Sequence, residues 1–226
     1  MTPPPYYADD RVTLYHGDCR ELTAWLAADV LVTDPPYGMA LSSGWAGHHG
    51  RLTIAGDTET TARDDALAAW HRHNPSRPAL VFSRWSLPLT GATGRLTWDK
   101  GEHVGMGDLA EPWKPNTEDV WVFGKGFRAA RRGSSVLRFN AVSGTAHGAH
   151  KGRWHPTEKP LDLMETLIAA CPAGVIADPF AGSGATLVAA RNLGRRAIGV
   201  ELEERYCEVI AKRLAQDVLD LEAVPS

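Results

Sequence analysis

Residues 174–201, with the sequence GVIADPFAGSGATLVAARNLGRRAIGVE, contain the pattern that decides the fold. An apolar run over 174–178 ends at Asp178, and a second run over 196–201 ends at Glu201. Between them, a glycine-rich turn leads into residues 186–193, which fit a helix closed by Gly194. Strand, turn, helix and strand form a β-α-β unit, whose two strands lie parallel in one sheet. The pattern therefore predicts an α/β fold.

The turn at residues 180–184 (FAGSG) predicts a nucleoside site. In such units the glycines let a ligand approach the backbone, and an acid after the second strand binds ribose hydroxyls. Here Glu201 follows Gly182 by 19 residues. The third glycine of the dinucleotide fingerprint is missing, as is the Lys-Ser/Thr ending of a phosphate-binding loop. A nucleoside without phosphate, such as S-adenosylmethionine, fits better than NAD or ATP. A tight turn without a ligand is the simpler alternative.

Helices and strands alternate through much of the remaining chain. The patterns predict strands over 11–15, 30–33, 79–83, 95–99 and 118–123, with a strand-like stretch over 136–139. They predict helices over 20–27, 61–73 and 161–171 and from residue 203 onward. The first ten residues look irregular, and glycine-rich residues 38–57 are expected to form a long loop, a candidate lid over a bound substrate.

A second chemical centre is Asp34-Pro35-Pro36-Tyr37, which directly follows the predicted strand over 30–33. The prolines stiffen this turn and remove two backbone donors, so that acceptors dominate it. A substrate amine could donate one proton to the Asp34 carboxylate and another to the Pro35 carbonyl, while the ring of Tyr37 stacks on a planar base. An ordinary turn at a strand end is the alternative interpretation.

The charge distribution points to a polyanion. The whole chain has a net charge of −3, but residues 125–154 contain seven basic residues and no Asp or Glu. A basic patch on an acidic body is typical of nucleic-acid-binding proteins. The candidate DNA-binding residues are Lys125, Arg128, Arg131, Arg132, Arg138, Lys151 and Arg153.

Composition argues against several other classes. The three cysteines, Cys19, Cys171 and Cys207, are too widely spaced for a disulfide framework or a zinc motif, and we expect them to be reduced and structural. The scattered histidines lack supporting ligands, so no metal site is expected. The chain has no basic, apolar leader and no run of roughly 18 apolar residues. We expect a cytoplasmic protein of a bacterial or phage-infected cell.

Four stretches together resemble the S-adenosylmethionine-dependent amino-methyltransferases of DNA. They are His16-Gly17-Asp18, Asp34-Pro35-Pro36-Tyr37, the segment 155–160 (HPTEKP) and the turn 180–184. The catalytic motif precedes the cofactor turn, with the basic window between them, which is the circularly permuted beta-group order. The resemblance implies a single Rossmann-like domain over residues 1–226, with a short DNA-recognition insertion at about 125–154. Its sheet would have seven mainly parallel strands and helices on both faces.

The resemblance also implies residue roles. Asp34, Pro35, Pro36 and Tyr37 would form the catalytic motif. The cofactor would be S-adenosylmethionine, with Glu201 on its ribose and Asp18 at its adenine. The other residues implied at the cofactor are Asp34, His155, Thr157, Lys159, Pro160, Asp178, Pro179, Phe180, Ala181, Gly182, Ser183, Gly184 and Thr186.

The expected reaction is direct methyl transfer to the exocyclic amine of a base flipped out of double-stranded DNA. Asp34 at the first motif position favours adenine N6, by family habit, and cytosine N4 is the alternative. Methylation of cytosine carbon would need a Pro-Cys pair, and the chain has only the reverse, Cys171-Pro172. A DNA-binding protein with an inactive methyltransferase core is a third hypothesis, which the intact motifs disfavour. Related enzymes are often dimers, so a homodimer is a further expectation.

Overall fold

The computed structural model describes residues 3–37, 60–72, 74–84, 86–101, 112–128, 133–142 and 158–222. The expected loop and lid over 38–57 lie outside these ranges. The strands are Tyr7–Ala8 (β1), Val12–His16 (β2), Val30–Thr33 (β3), Ala79–Ser83 (β4), Gly94–Asp99 (β5), Thr117–Phe123 (β6), Val136–Arg138 (β7), Ile176–Asp178 (β8) and Ala197–Glu201 (β9). The helices are Thr61–His71 (α1), Leu161–Ala169 (α2), Ala185–Asn192 (α3) and Glu204–Glu222 (α4).

All the described strands join one sheet in the order β1-β2-β9-β8-β3-β4-β6-β5-β7. The strands β2, β9, β8, β3 and β4 run parallel, and β6 is antiparallel to both of its neighbours. The prediction of a Rossmann-like, mainly parallel sheet is therefore confirmed. The count of seven strands implied by the resemblance was too low, because the sheet also includes two short edge strands, β1 and β7. The strand-like stretch over 136–139 corresponds to β7, whereas the two residues of β1 are too few to show an alternating pattern.

Helices cover both faces of the sheet. On one face, Leu163 of α2, Leu187 of α3 and Ile210 of α4 pack against strand residues that include Val30 and Val32. On the other face, Trp70 of α1 packs with Leu31 and other buried residues. The short helix predicted over 20–27 is a 3-10 helix that begins three residues later, Thr23–Ala27. It buries Trp25 and packs on this second face.

Because the parallel strands share a direction, the candidate site residues lie at one edge of the sheet, which we call the site edge. The parallel strands β8 and β9 end at this edge with Asp178 and Glu201, and Asp34 directly follows β3. The chain passes from β8 through α3 to β9 on one side, and from β3 through α1 to β4 on the other. The crevice between β8 and β3 is therefore a topological switch point, where α/β proteins bind ligands.

Candidate active site

The two glycines of the turn between β8 and α3, Gly182 and Gly184, have different structural roles. Both have a positive φ, +54° at Gly182 and +85° at Gly184. A Cβ at Gly184 would lie 2.8 Å from Cγ1 of Ile210, so this glycine lets α4 pack closely on the turn. A Cβ at Gly182 would meet no atom within 4 Å. Gly182 therefore faces open space, where a ligand can approach the backbone.

Two buried carboxyl groups flank this turn. Glu201 accepts hydrogen bonds from the backbone N–H of Gly182 at 2.7 Å and of Glu203 at 2.8 Å. Asp178 accepts from the hydroxyl of Thr33 at 2.6 Å and from the backbone N–H of Phe180 at 3.1 Å. Burial raises the pKa of Glu201 to about 7 and that of Asp178 to about 6. The turn thus faces acidic acceptors, which repel a phosphate and favour a cationic ligand with hydroxyl and amine donors.

Asp34 belongs to a group of four side chains, Asp34, Tyr37, Glu118 and Lys159, which we call the buried ring. Glu118 and Lys159 are buried, and Asp34 and Tyr37 are half-buried. The Tyr37 hydroxyl lies 2.5 Å from Oδ1 of Asp34 and 2.6 Å from Oε1 of Glu118. The ammonium of Lys159 lies 2.5 Å from Oδ2 of Asp34 and 2.9 Å from Oε1 of Glu118. Lys100 contacts the other oxygen of Glu118 at 2.8 Å. Both partners of Asp34 are thus shared with a second carboxylate.

The two carboxyl groups of the ring titrate in opposite directions. Burial raises the pKa of Asp34, Lys159 opposes that effect, and the neighbouring Glu118 adds to it. Burial alone would also raise the pKa of Glu118, but Lys159 and Lys100 outweigh burial and hold this pKa at about 2. Burial and both carboxylates keep Tyr37 in its phenol form, with a pKa well above the ordinary value. Glu118 is therefore the stronger acid of the two, and Asp34 is the carboxyl group that is protonated more readily.

The structure brings most of the predicted cofactor residues to the site edge. Phe180 is half-buried against the core, and Ser183 and Thr186 are buried at the start of α3. Lys159 and Pro160 are buried immediately before α2. Asp18 lies in the turn after β2 and is held by the Arg20 guanidinium, which lowers its pKa. His155 and Thr157 lie outside the described residues. The cofactor roles of these residues stay predictions.

The basic window does not reach the site edge as one patch. Arg138 ends β7 at the site edge, and its side chain is 76% exposed. Lys125 and Arg128 follow the carboxyl end of the antiparallel β6, which lies at the opposite edge, where Phe123 pairs with Ala79. The seven residues of β6 separate the two edges by about 20 Å. Position therefore does not support the predicted DNA contact of Lys125 and Arg128. Arg131, Arg132, Lys151 and Arg153 lie outside the described residues.

Sequence reasoning missed Glu118 and Lys100 as site residues. Both belong to the antiparallel part of the sheet, where β5 ends and β6 begins at the site edge. A pair of acids, Glu118-Asp119, at the start of an apolar strand was the one available signal, because buried carboxylates need partners. Trp98, to which the sequence assigned no role, is buried beside the ring with its aromatic face 5.9 Å from the Lys159 ammonium.

Arg213 of α4 is another residue that the motifs did not reveal. Its guanidinium contacts the carboxylate of Glu158 and donates to the backbone carbonyl of Ser183, both at 2.8 Å. The Glu158 side chain is 7% exposed and that of Arg213 is 11% exposed, so water screens this ion pair only weakly. Arg213 therefore ties α4 to the glycine-rich turn and to the segment that carries Lys159.

The cysteines match their predicted structural role. Cys19, Cys171 and Cys207 are free and buried, and burial raises the pKa of each thiol to about 12. Within the described ranges, no three His, Cys, Asp or Glu side chains are grouped so that they could hold a metal ion. Among the described helices, none is long and apolar enough to cross a membrane.

A mainly parallel sheet with a glycine-rich turn and two flanking carboxyl groups at a topological switch point is typical of α/β proteins that bind a nucleoside cofactor. Comparison with known proteins gives the particular family. Residues 95–213 match the DNA methylase family N6_N4_Mtase. The chain is 48% identical to the type II methyltransferase M2.DpnII of Streptococcus pneumoniae, covering 93% of this chain and 92% of the relative. It is 37% identical to the type II methyltransferase M.ScaI of Streptomyces caespitosus, covering 96% and 86%. The chain belongs to this family of DNA amino-methyltransferases.

Solved structures agree on the fold. M1.HpyAVI in complex with SAM superposes with a TM-score of 0.64 at 24% identity, over 90% of this chain and 98% of that one. The cytosine-N4-specific PvuII DNA methyltransferase superposes with a TM-score of 0.65 at 16% identity, over 96% and 93%. At these identities the likeness concerns the fold.

Proposed function

We propose that the protein is an S-adenosylmethionine-dependent DNA methyltransferase that modifies the exocyclic N6 of adenine. One observation carries the amine-transfer part of this proposal, and the choice of adenine rests on Asp34 at the first motif position, which the resemblance associates with adenine. Asp34 and the nucleoside-type turn follow neighbouring parallel strands, and the Thr33 hydroxyl joins them by a 2.6 Å hydrogen bond to Asp178. An amine held by Asp34 is therefore next to a ligand held by the turn, as a direct transfer between the two requires.

The residues of the turn fit S-adenosylmethionine. The open space at Gly182 admits the nucleoside against the backbone. Glu201 keeps acceptor capacity for ribose hydroxyls, because each carboxylate oxygen has a second lone pair beside the one used by a backbone N–H. Asp178 adds negative charge that favours a cationic ligand. When bound, this cofactor supplies an electrophilic methyl group on a positively charged sulfur.

The amine site prepares the nucleophile. An exocyclic amine is a poor nucleophile because its lone pair is delocalised into the ring. One N–H donates to the Asp34 carboxylate and the other to the Pro35 carbonyl, and these two bonds favour a pyramidal nitrogen with a free lone pair. Asp34 also accepts the proton that the nitrogen loses after methylation, since burial has already raised the pKa of this carboxyl group.

The DNA must present the base outside the helix, because the amine inside a duplex cannot reach a site at a sheet edge. The Tyr37 ring is half-buried against the core, with its hydroxyl fixed to the carboxylates of the buried ring. Such an anchored ring offers a rigid stacking face for the flipped base. Exposed Arg138 lies at the same edge, where it can contact phosphate.

The test is methyl transfer with purified protein, double-stranded DNA and S-adenosylmethionine carrying a labelled methyl group. Wild type should label the DNA, and digestion to nucleosides should give N6-methyldeoxyadenosine by mass. Asp34→Ala should abolish transfer and leave cofactor affinity within about threefold, because the turn at Gly182 and Glu201 is unchanged. Activity retained by Asp34→Ala would refute the assigned role. N4-methyldeoxycytidine would instead assign the enzyme to cytosine.

A further inference from the structure

Within the described part of the chain, Glu118 contacts both side chains that hydrogen-bond to Asp34. The Lys159 ammonium contacts Asp34 and Glu118, and so does the Tyr37 hydroxyl. The Glu118 side chain is 7% exposed, and its other oxygen is fixed by Lys100 at 2.8 Å. Glu118 is therefore an immobile anion that faces both partners of Asp34.

The substrate amine and these partners compete for the same carboxylate. The amine of the base donates one N–H to Asp34, and each oxygen already holds a donor at 2.5 Å, Oδ1 that of Tyr37 and Oδ2 that of Lys159. The Asp34 side chain is only 24% exposed, so the amine gains access by displacing one of these donors. A buried ammonium without a counter-ion is strongly destabilised. Lys159 is 7% exposed, so it can leave Asp34 only if another anion retains it. Glu118, 2.9 Å away, is that anion.

We propose that Glu118 is a positioning residue of the amine site, which retains Lys159 or Tyr37 when the substrate amine displaces that donor from Asp34. This inference rests on the proposed function. Glu118 does not contact the reacting atoms in this account and acts through its two partners. Because Tyr37 has one hydroxyl proton, it can donate to Glu118 as soon as the amine donates to Asp34. After the exchange, the displaced donor keeps its contact with Glu118.

The test compares wild type with Glu118→Gln and a matched control, Asp119→Asn. Gln keeps the shape of Glu118 but lacks its charge, so Lys159 should stay on Asp34 and exclude the amine. We expect kcat/KM for DNA to fall about 10- to 100-fold, the effect of losing a hydrogen bond to a charged group. Cofactor affinity should stay within about twofold.

Asp119 is the neighbouring buried carboxylate, but its side chain points to the other face of the sheet and approaches Thr97 and Arg95. Its variant should retain the wild-type rate.

The pH profile separates positioning from a purely structural effect. Asp34 faces Tyr37, Lys159, Glu118 and, from the end of β8, Asp178. Repulsion by Glu118 raises the pKa of Asp34, so removing that charge should shift the acid limb of the rate to lower pH while the plateau falls. Glu118→Asp should restore the position of the limb.

Three results would overturn the inference. The first is an unchanged kcat/KM in Glu118→Gln, and the second is an equal loss of kcat/KM in Asp119→Asn. The third is a pH–rate profile of Glu118→Gln with a reduced plateau and an unshifted acid limb, together with weakened cofactor binding. Failure of the proposed function is recognised separately, because wild type itself would then transfer no methyl group to DNA.

Discussion

Cofactor affinity should depend on pH through Glu201. Burial raises the pKa of this carboxyl group to about 7, so the folded protein carries it mostly protonated at pH 6 and mostly ionised at pH 8. The ionised form supplies the charge and the acceptors that a cationic nucleoside needs. The ionised fraction rises from about one tenth to about nine tenths over this interval, so the Kd should fall about tenfold.

The assay is isothermal titration of the purified protein with S-adenosylmethionine at pH 6, 7 and 8. The matched control is Glu201→Gln, which keeps the shape of the side chain and has no proton to exchange. The variant should bind S-adenosylmethionine more weakly than wild type at pH 8, and its Kd should hardly change between pH 7 and 8. The reasoning would be refuted by a Kd that does not change with pH in wild type, or by the same slope in the variant.

The stability of the unliganded protein should change with pH in the opposite direction to cofactor affinity. Because the folded state holds the Glu201 proton more tightly than the unfolded chain does, the free energy of unfolding should fall as pH rises from about 4.5 to 7. A pKa raised from 4.5 to about 7 corresponds to at most about 3 kcal/mol. Urea unfolding at pH 5 and pH 8 measures this loss, and Glu201→Gln should largely remove it. Equal pH dependence in both proteins would contradict the account.

Two further predictions concern packing and DNA contact. Gly184→Ala should lower the free energy of unfolding by about 2–4 kcal/mol, because it adds a clash with Ile210 to the strain of a positive φ. In the control, Gly91→Ala, φ is also +85° but no atom lies within 4 Å, so urea unfolding should show a loss of only about 1–2 kcal/mol. Arg138→Ala should weaken DNA binding and reduce its salt dependence, whereas Arg128→Ala should leave both unchanged in a fluorescence anisotropy titration. Equal losses of stability in the two glycine variants, or equal losses of DNA binding in the two arginine variants, would contradict the positions assigned to these residues.

Local patterns were enough to predict the parallel half of the fold. In β8, the turn, α3 and β9, each element follows from its neighbours in the chain, and the acids at the strand ends reach one edge because parallel strands share a direction. Asp34 was predicted to join them for the same reason. The positions of Asp178, Glu201 and Asp34 thus follow from the sequence, although their ligand roles stay predictions.

The antiparallel part of the sheet could not be predicted in the same way. Glu118 reaches Asp34 only because β6 enters the sheet beside β4 in the reverse direction, which pairs Ser83 with Asp119. No local pattern encodes that pairing. The same reversal carries Lys125 away from the site edge, so residues that form one basic window in the chain lie at different edges of the sheet. A charge count along the sequence contains no information on this separation.

Amino-methylation of DNA by the site around Asp34 can be measured directly in cells. The chain is expressed in a host that lacks DNA methylation, and its genomic DNA is digested to nucleosides, weighed, and mapped by single-molecule sequencing. The account predicts N6-methyldeoxyadenosine at one recurring short sequence, and none in cells that express Asp34→Ala. An unmodified genome with well-folded wild-type protein, or equal modification by Asp34→Ala, would contradict it.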